Sequence, residues 1–429
     1  MSNKTLNIFS NFFLKYFFIV YYLYLMCVGV IIPKGTTFGE LFNGVLFIFI
    51  LYMAFVRCLN KRFLFFYLYF LFLVALVLIN SSDYMYSLSN LIKYSIQFLC
   101  LPIGYSVISS MDKYRELLKT GLICMALYIF NLIVVNLFNL GSTSGYGGTM
   151  QIGNLFSDAL YLNVYMIVSL FLLLKVFPNK RTIILLLTSI CAVLVFVNMK
   201  RVVILDLILG FFVFSVLYLR FSKAKVSVVS KYAKYVILSL LLLGVFVYFF
   251  SDQIIGNYKI RSEHFENTSE DITNESRAQE MIYVYNEIVN SDDIMVFLFG
   301  KEAFNFVGTY AEGKFGERQI HDSYSILLHG TGVLGFFVWL LLHLSVIVWM
   351  RRFKNSTPCA LDNESSIIYS LFYTYIIIFL ISMISGNMSN ILSSGFFYTS
   401  VGGMLRLFKE RKKTICYELS IPTQANNEN

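Results

Sequence analysis

Apolar runs of roughly 16 to 27 residues recur about twelve times along this 429-residue chain, divided by short polar connectors. The hydrocarbon core of a bilayer takes about 20 mostly apolar residues per helix, and inside it every backbone N–H and C=O must find a partner in its own segment. A chain patterned in this way is predicted to fold as an all-α, polytopic integral membrane helical bundle. The runs fall at 16–33, 39–56, 63–79, 91–109, 120–140, 158–177, 183–198, 202–219, 235–250, 324–350, 367–385 and 391–408. With 58% hydrophobic and 14% charged residues, the chain lies outside the range of soluble domains.

The formal net charge of +9 would suggest nucleic acid in a soluble protein, but here the basic residues sit in alternate connectors. That is the signature of the positive-inside rule, so no nucleic acid is expected. Placing the N-terminus inside assigns about 22 Lys and Arg to the cytoplasm and about nine to the outside. An arrangement with both termini inside and twelve spans follows. The first run resembles a signal sequence without a small-residue cleavage site before Pro33, and it reads as a retained span.

The chain divides into an N-terminal bundle at 1–250, one long polar segment at 251–322, C-terminal helices at 323–408 and a cytoplasmic tail at 409–429. The polar segment, between spans nine and ten, carries about 14 of the 25 acidic residues against six Lys or Arg. Residues 259–275 read as irregular. A helical pattern then starts at Ser276, with Met281, Val284, Tyr285 and Ile288 as its apolar stripe and Arg277 at the head of that stripe. A cation there opposes the helix dipole, so helix stability does not account for it.

Three residues at the expected outer face stand out. Arg201 lies with Lys200 in a tight outer turn, where the charge rule disfavours both. Arg277 heads the helix just described, and His321 closes the polar segment. Guanidinium forks match phosphate oxygens and stay charged, while imidazole suits proton transfer near neutrality. Asp322 follows as a candidate N-cap for span ten, with Tyr324 two residues on. A solvated arginine, a lipid-headgroup contact and a structural histidine are the bland alternatives. His264 reads as solvated, and His329 and His343 as packing or hydrogen-bonding groups inside span ten.

Several other features carry less. Gly330-Thr331-Gly332-Val333-Leu334-Gly335 spells a dinucleotide fingerprint but follows no strand, so close helix packing explains it better. Asp292-Asp293 reads as a solvated turn. None of the seven cysteines lies in the polar segment, so neither a disulfide framework nor a thiolate metal site is expected there. Among charges inside runs, Lys93, Asp158, Lys175 and Arg406 lie near span ends, while Asp206 is placed to pair with Lys200 or Arg201.

"HDSYSILLHGTGVLGFFVWL" (321–340), "ESRAQEMIYVYNEIV" followed by "LFG" (275–300), and "MKRVVILDL" (199–207) together resemble the motifs of bacterial O-antigen polymerases and O-antigen ligases. The resemblance covers about 140 residues in the order and topology of those families. It departs from them at Lys200, where Ser or Thr is usual, and at Asp322, where Asn or Ser is usual. It implies a GT-C-like membrane glycosyltransferase without metal or other cofactor, located in the bacterial inner membrane with the large loop periplasmic. The implied donor is an undecaprenyl-diphosphate-linked oligosaccharide. Arg201 and Arg277 would hold the diphosphate, His321 would be catalytic, and Lys200, Asp322 and Tyr324 would bind substrate. Membrane lipid and a polysaccharide chain-length regulator are the other implied partners. A polymerase is the expected activity, with a ligase onto lipid A-core and a lipid-linked oligosaccharide flippase as the alternatives.

Overall fold

The computed structural model describes residues 3–28, 37–141, 156–197, 200–222, 276–305, 307, 310, 319–355, 362–386 and 390–420. Within them the chain is helical, without a β-strand, and an isolated antiparallel bridge joins Val307 to Gln319. The helices are α1 (Ile8–Cys27), α2 (Phe38–Arg57) and α3 (Lys61–Ile79), α4 (Tyr84–Val107), α5 (Met111–Leu137), α6 (Phe156–Val168), α7 (Leu170–Val176), α8 (Pro178–Val197) and α9 (Arg201–Phe221), α10 (Ser276–Val289), α11 (Ile294–Phe299), α12 (Ser323–Asn355) and α13 (Asn363–Ser385), and α14 (Ile391–Ser420). Among the described residues eight helices are long and apolar enough to cross a membrane, or nine if the bent pair α6–α7 counts as one. The expected span at 235–250 lies outside the described residues.

The polar connectors start helices by capping them. Side-chain oxygens of Asn60, Asp83, Ser110, Asp293 and Asp362 each accept from a backbone N–H in the first turn that follows. The first span begins earlier than the expected residue 16, because Phe13 is buried and the ammonium of Lys15 reaches Glu116, 3.7 Å away, instead of ending the helix.

At the centre α4 crosses α14 with backbones in contact. A Cβ at Gly104 would overlap the carbonyl oxygen of Thr399, and one at Gly402 would overlap that of Leu101. Every residue of α4 from Tyr94 to Tyr105 is buried, as is every residue of α14 from Ile391 to Leu405. Neither helix meets lipid along that stretch, and so both tolerate Ser95, Gln97, Ser393 and Thr399, which are fully or almost fully buried. The outer helices show the reverse pattern. Phe65 of α3, Phe212 of α9 and Ile48 of α2 are each about two-thirds exposed, as lipid-facing side chains should be.

Contacts sort the connectors into two ends. At one, Arg62 lies over the Phe353 ring (5.6 Å), Lys354 over Phe221 (4.3 Å) and Arg115 over Phe177 (5.1 Å). Lys175 and Arg411 meet Glu364 at the same end, at 3.3 and 3.0 Å. This basic end gathers the connectors that the charge pattern assigns to one side. At the other, the loop end, α10 and α11 dock. Asn80 donates to the Gly300 carbonyl (2.9 Å) and accepts from Ala303 N–H (2.8 Å), Asn90 donates to the Phe304 carbonyl (3.1 Å), and Glu302 accepts from Ser82.

The bent pair also runs from end to end. Tyr161 of α6 sits at the loop end against Ser385, while Lys175 and Phe177 after the 66° bend lie at the basic end. It is therefore a broken span, not a loop that returns to its own side. The bend falls at Ser169, whose hydroxyl pairs with Tyr375 (2.7 Å) and whose carbonyl still accepts from Leu173 N–H (3.0 Å).

The glycine-rich run in α12 acts as a helix break. Gly332 has φ +63°, and a Cβ there would overlap the backbone of Leu298 and Gly300. The close packing expected of the motif is found, with the loop segment instead of a neighbouring span as the partner. The carbonyl of His329 accepts from Lys301 N–H (3.0 Å), so the turn after α11 is clamped into the break.

Gly402→Leu forces a side chain into the α4 backbone and should cost about 1–3 kcal/mol of stability or more. Gly44→Ala, where nothing lies within 4 Å of the new Cβ, should be neutral or stabilising by up to about 1 kcal/mol. Thermal unfolding of the purified protein in detergent, followed by size exclusion, separates the two.

Candidate functional site

The site is built where α10, the start of α12, the start of α9 and the end of α13 meet at the loop end. Helix α10 begins at Ser276, as its sequence pattern predicts. Its buried stripe is Glu280, Val284 and Ile288, whereas Met281 and Tyr285 are 38% and 54% exposed. The expected stripe is thus rotated by about one residue, because a carboxylate occupies a position that hydrophobic periodicity does not count. Register still puts Arg277, one turn before Glu280, on that same face.

Glu280 is the residue the sequence did not single out. It is 1% exposed, it accepts a hydrogen bond from the backbone N–H of His321, and its other oxygen lies 3.4 Å from His321 Nδ1. The imidazole itself is about 40% exposed. Nδ1 is thus the ring nitrogen turned toward the carboxylate. The only sequence signal was indirect: Glu280 lies three residues after an arginine already marked for attention, on a helix preceding the histidine.

Asp322 caps α12 as expected. Its two oxygens accept from Tyr324 N–H (3.1 Å) and Ser325 N–H (2.8 Å), and the residue is 2% exposed. Burial pushes its carboxyl above the ordinary range, the bonds from Ser325 and Tyr324 pull it back, and the neighbouring Glu280 carboxylate adds to the rise. The Tyr324 hydroxyl donates to the Leu380 carbonyl (2.6 Å), which ties α12 to α13. Both residues thus have partners inside the protein that hold His321 in place.

Lys200 and Arg201 lie at the start of α9, as expected of the tight turn. Lys200 Nζ sits 4.8 Å from the centre of the Tyr161 ring, and the Tyr161 hydroxyl hydrogen-bonds with Ser385 Oγ. The next residue, Gly386 (φ +81°), packs so closely on His321 that a Cβ would overlap its carbonyl oxygen. A continuous path of contacts therefore links Lys200 to Tyr161, Ser385, Gly386, His321 and Glu280. Arg201 is exposed beside this path. Asp206, one turn and a half into α9, is fully buried and within electrostatic reach of Lys200, but neither of its oxygens has a hydrogen-bond partner, so the expected pairing is not made as a hydrogen-bonded ion pair.

Other sequence candidates have structural duties. His343 is buried, with Nδ1 at 2.8 Å from the Trp339 carbonyl and Nε2 at 2.9 Å from the Tyr398 hydroxyl. His329 is buried beside Tyr310. Asp293 caps α11 by accepting from Met295 N–H (2.8 Å). His264 lies outside the described residues. No protein-family model matches this chain, and no curated protein matches it.

Asp322→Ala should remove the cap and cost about 1 kcal/mol. Asp322→Asn keeps an acceptor there while removing a carboxylate that burial disfavours. Because the folded pKa is raised, the stability contributed by the protonated form is complete below the unfolded value and is lost as pH rises through the folded one. The Asn variant should therefore match or exceed the native protein at pH 7, with the difference vanishing toward pH 4. Unfolding midpoints across that range provide the check. Glu280→Ala, which strands the half-buried His321 N–H, should cost about 1 kcal/mol in the same measurement.

Proposed function

We propose that this chain is an O-antigen polymerase, or a polymerase of a related surface polysaccharide, joining undecaprenyl-diphosphate-linked repeat units at the periplasmic face of the bacterial inner membrane. The observation that carries the reading is the contact path from Lys200 to His321 and Glu280. It gathers, at the end of the bundle that holds the loop segment, positions that are 80 and more residues apart in sequence. The charge rule makes the basic end cytoplasmic and the loop end periplasmic.

The twelve-span, GT-C-like arrangement belongs to the same proposal. Helices α4 and α14 join the loop end to the basic end, since Asn90 and Ser106 of α4 bond at opposite ends, and Arg411 of α14 lies at the basic end. With the broken span they bring the count to eleven. Because α9 ends at the basic end and α10 lies at the loop end, the twelve-span reading needs one more crossing between them.

In this mechanism His321 accepts the proton of the acceptor hydroxyl as its oxygen attacks the anomeric carbon of the donor. The bond from that carbon to the diphosphate oxygen breaks with its electron pair, and undecaprenyl diphosphate leaves. Arg201 and Arg277, with Lys200 as a helper, stabilise the departing charge. Diphosphate is a good leaving group, so positioning and charge stabilisation suffice. Glu280 orients the imidazole.

His321→Ala should lower chain extension by about 10²–10⁴-fold, and Arg277→Ala should abolish it, with membrane levels unchanged in both. Near-normal long-chain product from either variant overturns the assignment. A deletion strain separates the related activities: core bearing a single repeat unit marks a polymerase, and core bearing none marks a ligase. Elongation of lipid-linked repeats by the purified protein in detergent excludes a flippase.

A further inference from the structure

At the basic end, away from the site above, a lateral groove of about 550 Å³ opens between α3 and α12. Phe65, Leu68 and Phe72 line one wall, Leu334, Leu341 and Trp349 the other, and Arg62 stands at its mouth. Phe65 and Leu341 are 71% and 47% exposed, so the groove faces outward into hydrocarbon. The one small polar side chain in it, Ser345, spends its hydroxyl on the Leu342 carbonyl (2.7 Å). Along α3, the distance from Arg62 to Phe72 is about 15 Å at 1.5 Å per residue, which is the hydrocarbon depth of one leaflet.

Arg62, like Arg115 and Lys354 at this end, lies against a ring instead of a carboxylate, and among the three it lines the groove. Lys15, Lys175 and Arg411 lie against carboxylates, and Arg57 donates to the Tyr52 hydroxyl. The Arg62 guanidinium has only the Phe353 ring, 5.6 Å away, among the described contacts, and only its backbone N–H is hydrogen-bonded, to Asn60. A planar fork of donors at the headgroup level, above an apolar channel one leaflet deep, fits a phosphodiester with an acyl chain beneath it.

We infer that this groove is a binding site for an anionic phospholipid of the leaflet on the basic side, its headgroup phosphate on Arg62 and one acyl chain between α3 and α12. Because α12 carries the Gly332 break near the groove's inner end, where Phe72 lies against Gly335, the bound chain packs directly beneath the clamp that holds the loop segment. The inference does not rest on the proposed catalytic activity.

The chain has two tryptophans, Trp339, which is 1% exposed, and Trp349 in the groove wall. In the Trp339→Phe protein, reconstituted into zwitterionic vesicles, fluorescence then reports on Trp349 alone. Small, equal mole fractions of brominated anionic or brominated zwitterionic phospholipid are added as quenchers. The anionic lipid should quench about fivefold more effectively, the preference expected of one headgroup-level arginine. Arg62→Ala should bring the ratio to about one, while Lys61→Ala, one residue away but outside the groove, should leave most of it. Ser345→Phe, which fills the channel, should weaken quenching by both lipids. Equal quenching by the two lipids in the unmodified groove overturns the proposal. So does an equal loss of preference in the Lys61 and Arg62 variants, which would assign it to the diffuse charge of that face.

Discussion

Two helix backbones in contact, α4 at Gly104 and α14 at Gly402, set the geometry of this bundle. Lipid is as apolar as leucine, so spans gain nothing by hiding apolar side chains from one another. What holds them is close packing and hydrogen bonding, which small residues at a crossing permit. The α4–α14 crossing excludes lipid from the centre, and there, as along α13, serines and threonines lie buried in number, with Gln97 among them. The same crossing aims the N-terminal end of α4 at the loop segment, where Asn90 reaches Phe304. A wedge at the crossing would therefore be felt at both ends of the molecule.

The loop end follows a different logic. It is assembled from interruptions: the break at Gly332, the left-handed turn at Gly386 and the polar caps at Asp83 and Asp322. Each interruption frees backbone groups that a continuous span would bond internally; the caps take them up with their own side chains, and around the Gly332 break they find partners in another segment. Asn80 bonds both Gly300 and Ala303, and His329 bonds Lys301 through its carbonyl. The loop segment is thus part of the bundle's backbone bonding, which gives His321 a rigid seat.

The architecture was largely legible in the sequence because a bilayer leaves few alternatives. Apolar runs give spans, basic connectors give one end, and Asp322 reads as a cap before it is seen as one. The helix start at Ser276 and the packing role of the glycine run were legible as well. Glu280 was not, since a buried carboxylate inside an amphipathic helix contradicts the periodicity used to find the buried face. Nor was the link through Tyr161 and Ser385, which joins residues 224 positions apart and leaves no local trace. α4 and α14 are not among the helices that composition alone marks as spans, because from Tyr94 to Tyr105 and from Ile391 to Leu405 they present no side chain to lipid that must be apolar.

Two buried carboxylates beside the candidate base pose an electrostatic problem for a site proposed to take a diphosphate. Left bare, Glu280 and Asp322 would repel it. Both are already committed: Glu280 to the N–H and ring of His321, Asp322 to the first amides of α12, where the helix dipole also favours a negative charge. Their charge is spent on orientation within a turn of the residues they hold. Lys200, set against the face of Tyr161, and the exposed Arg201 stand on the far side of the same contact path. On the proposed reading this division lets the base be anchored by anions while the substrate's phosphates meet cations, with His321 between the two.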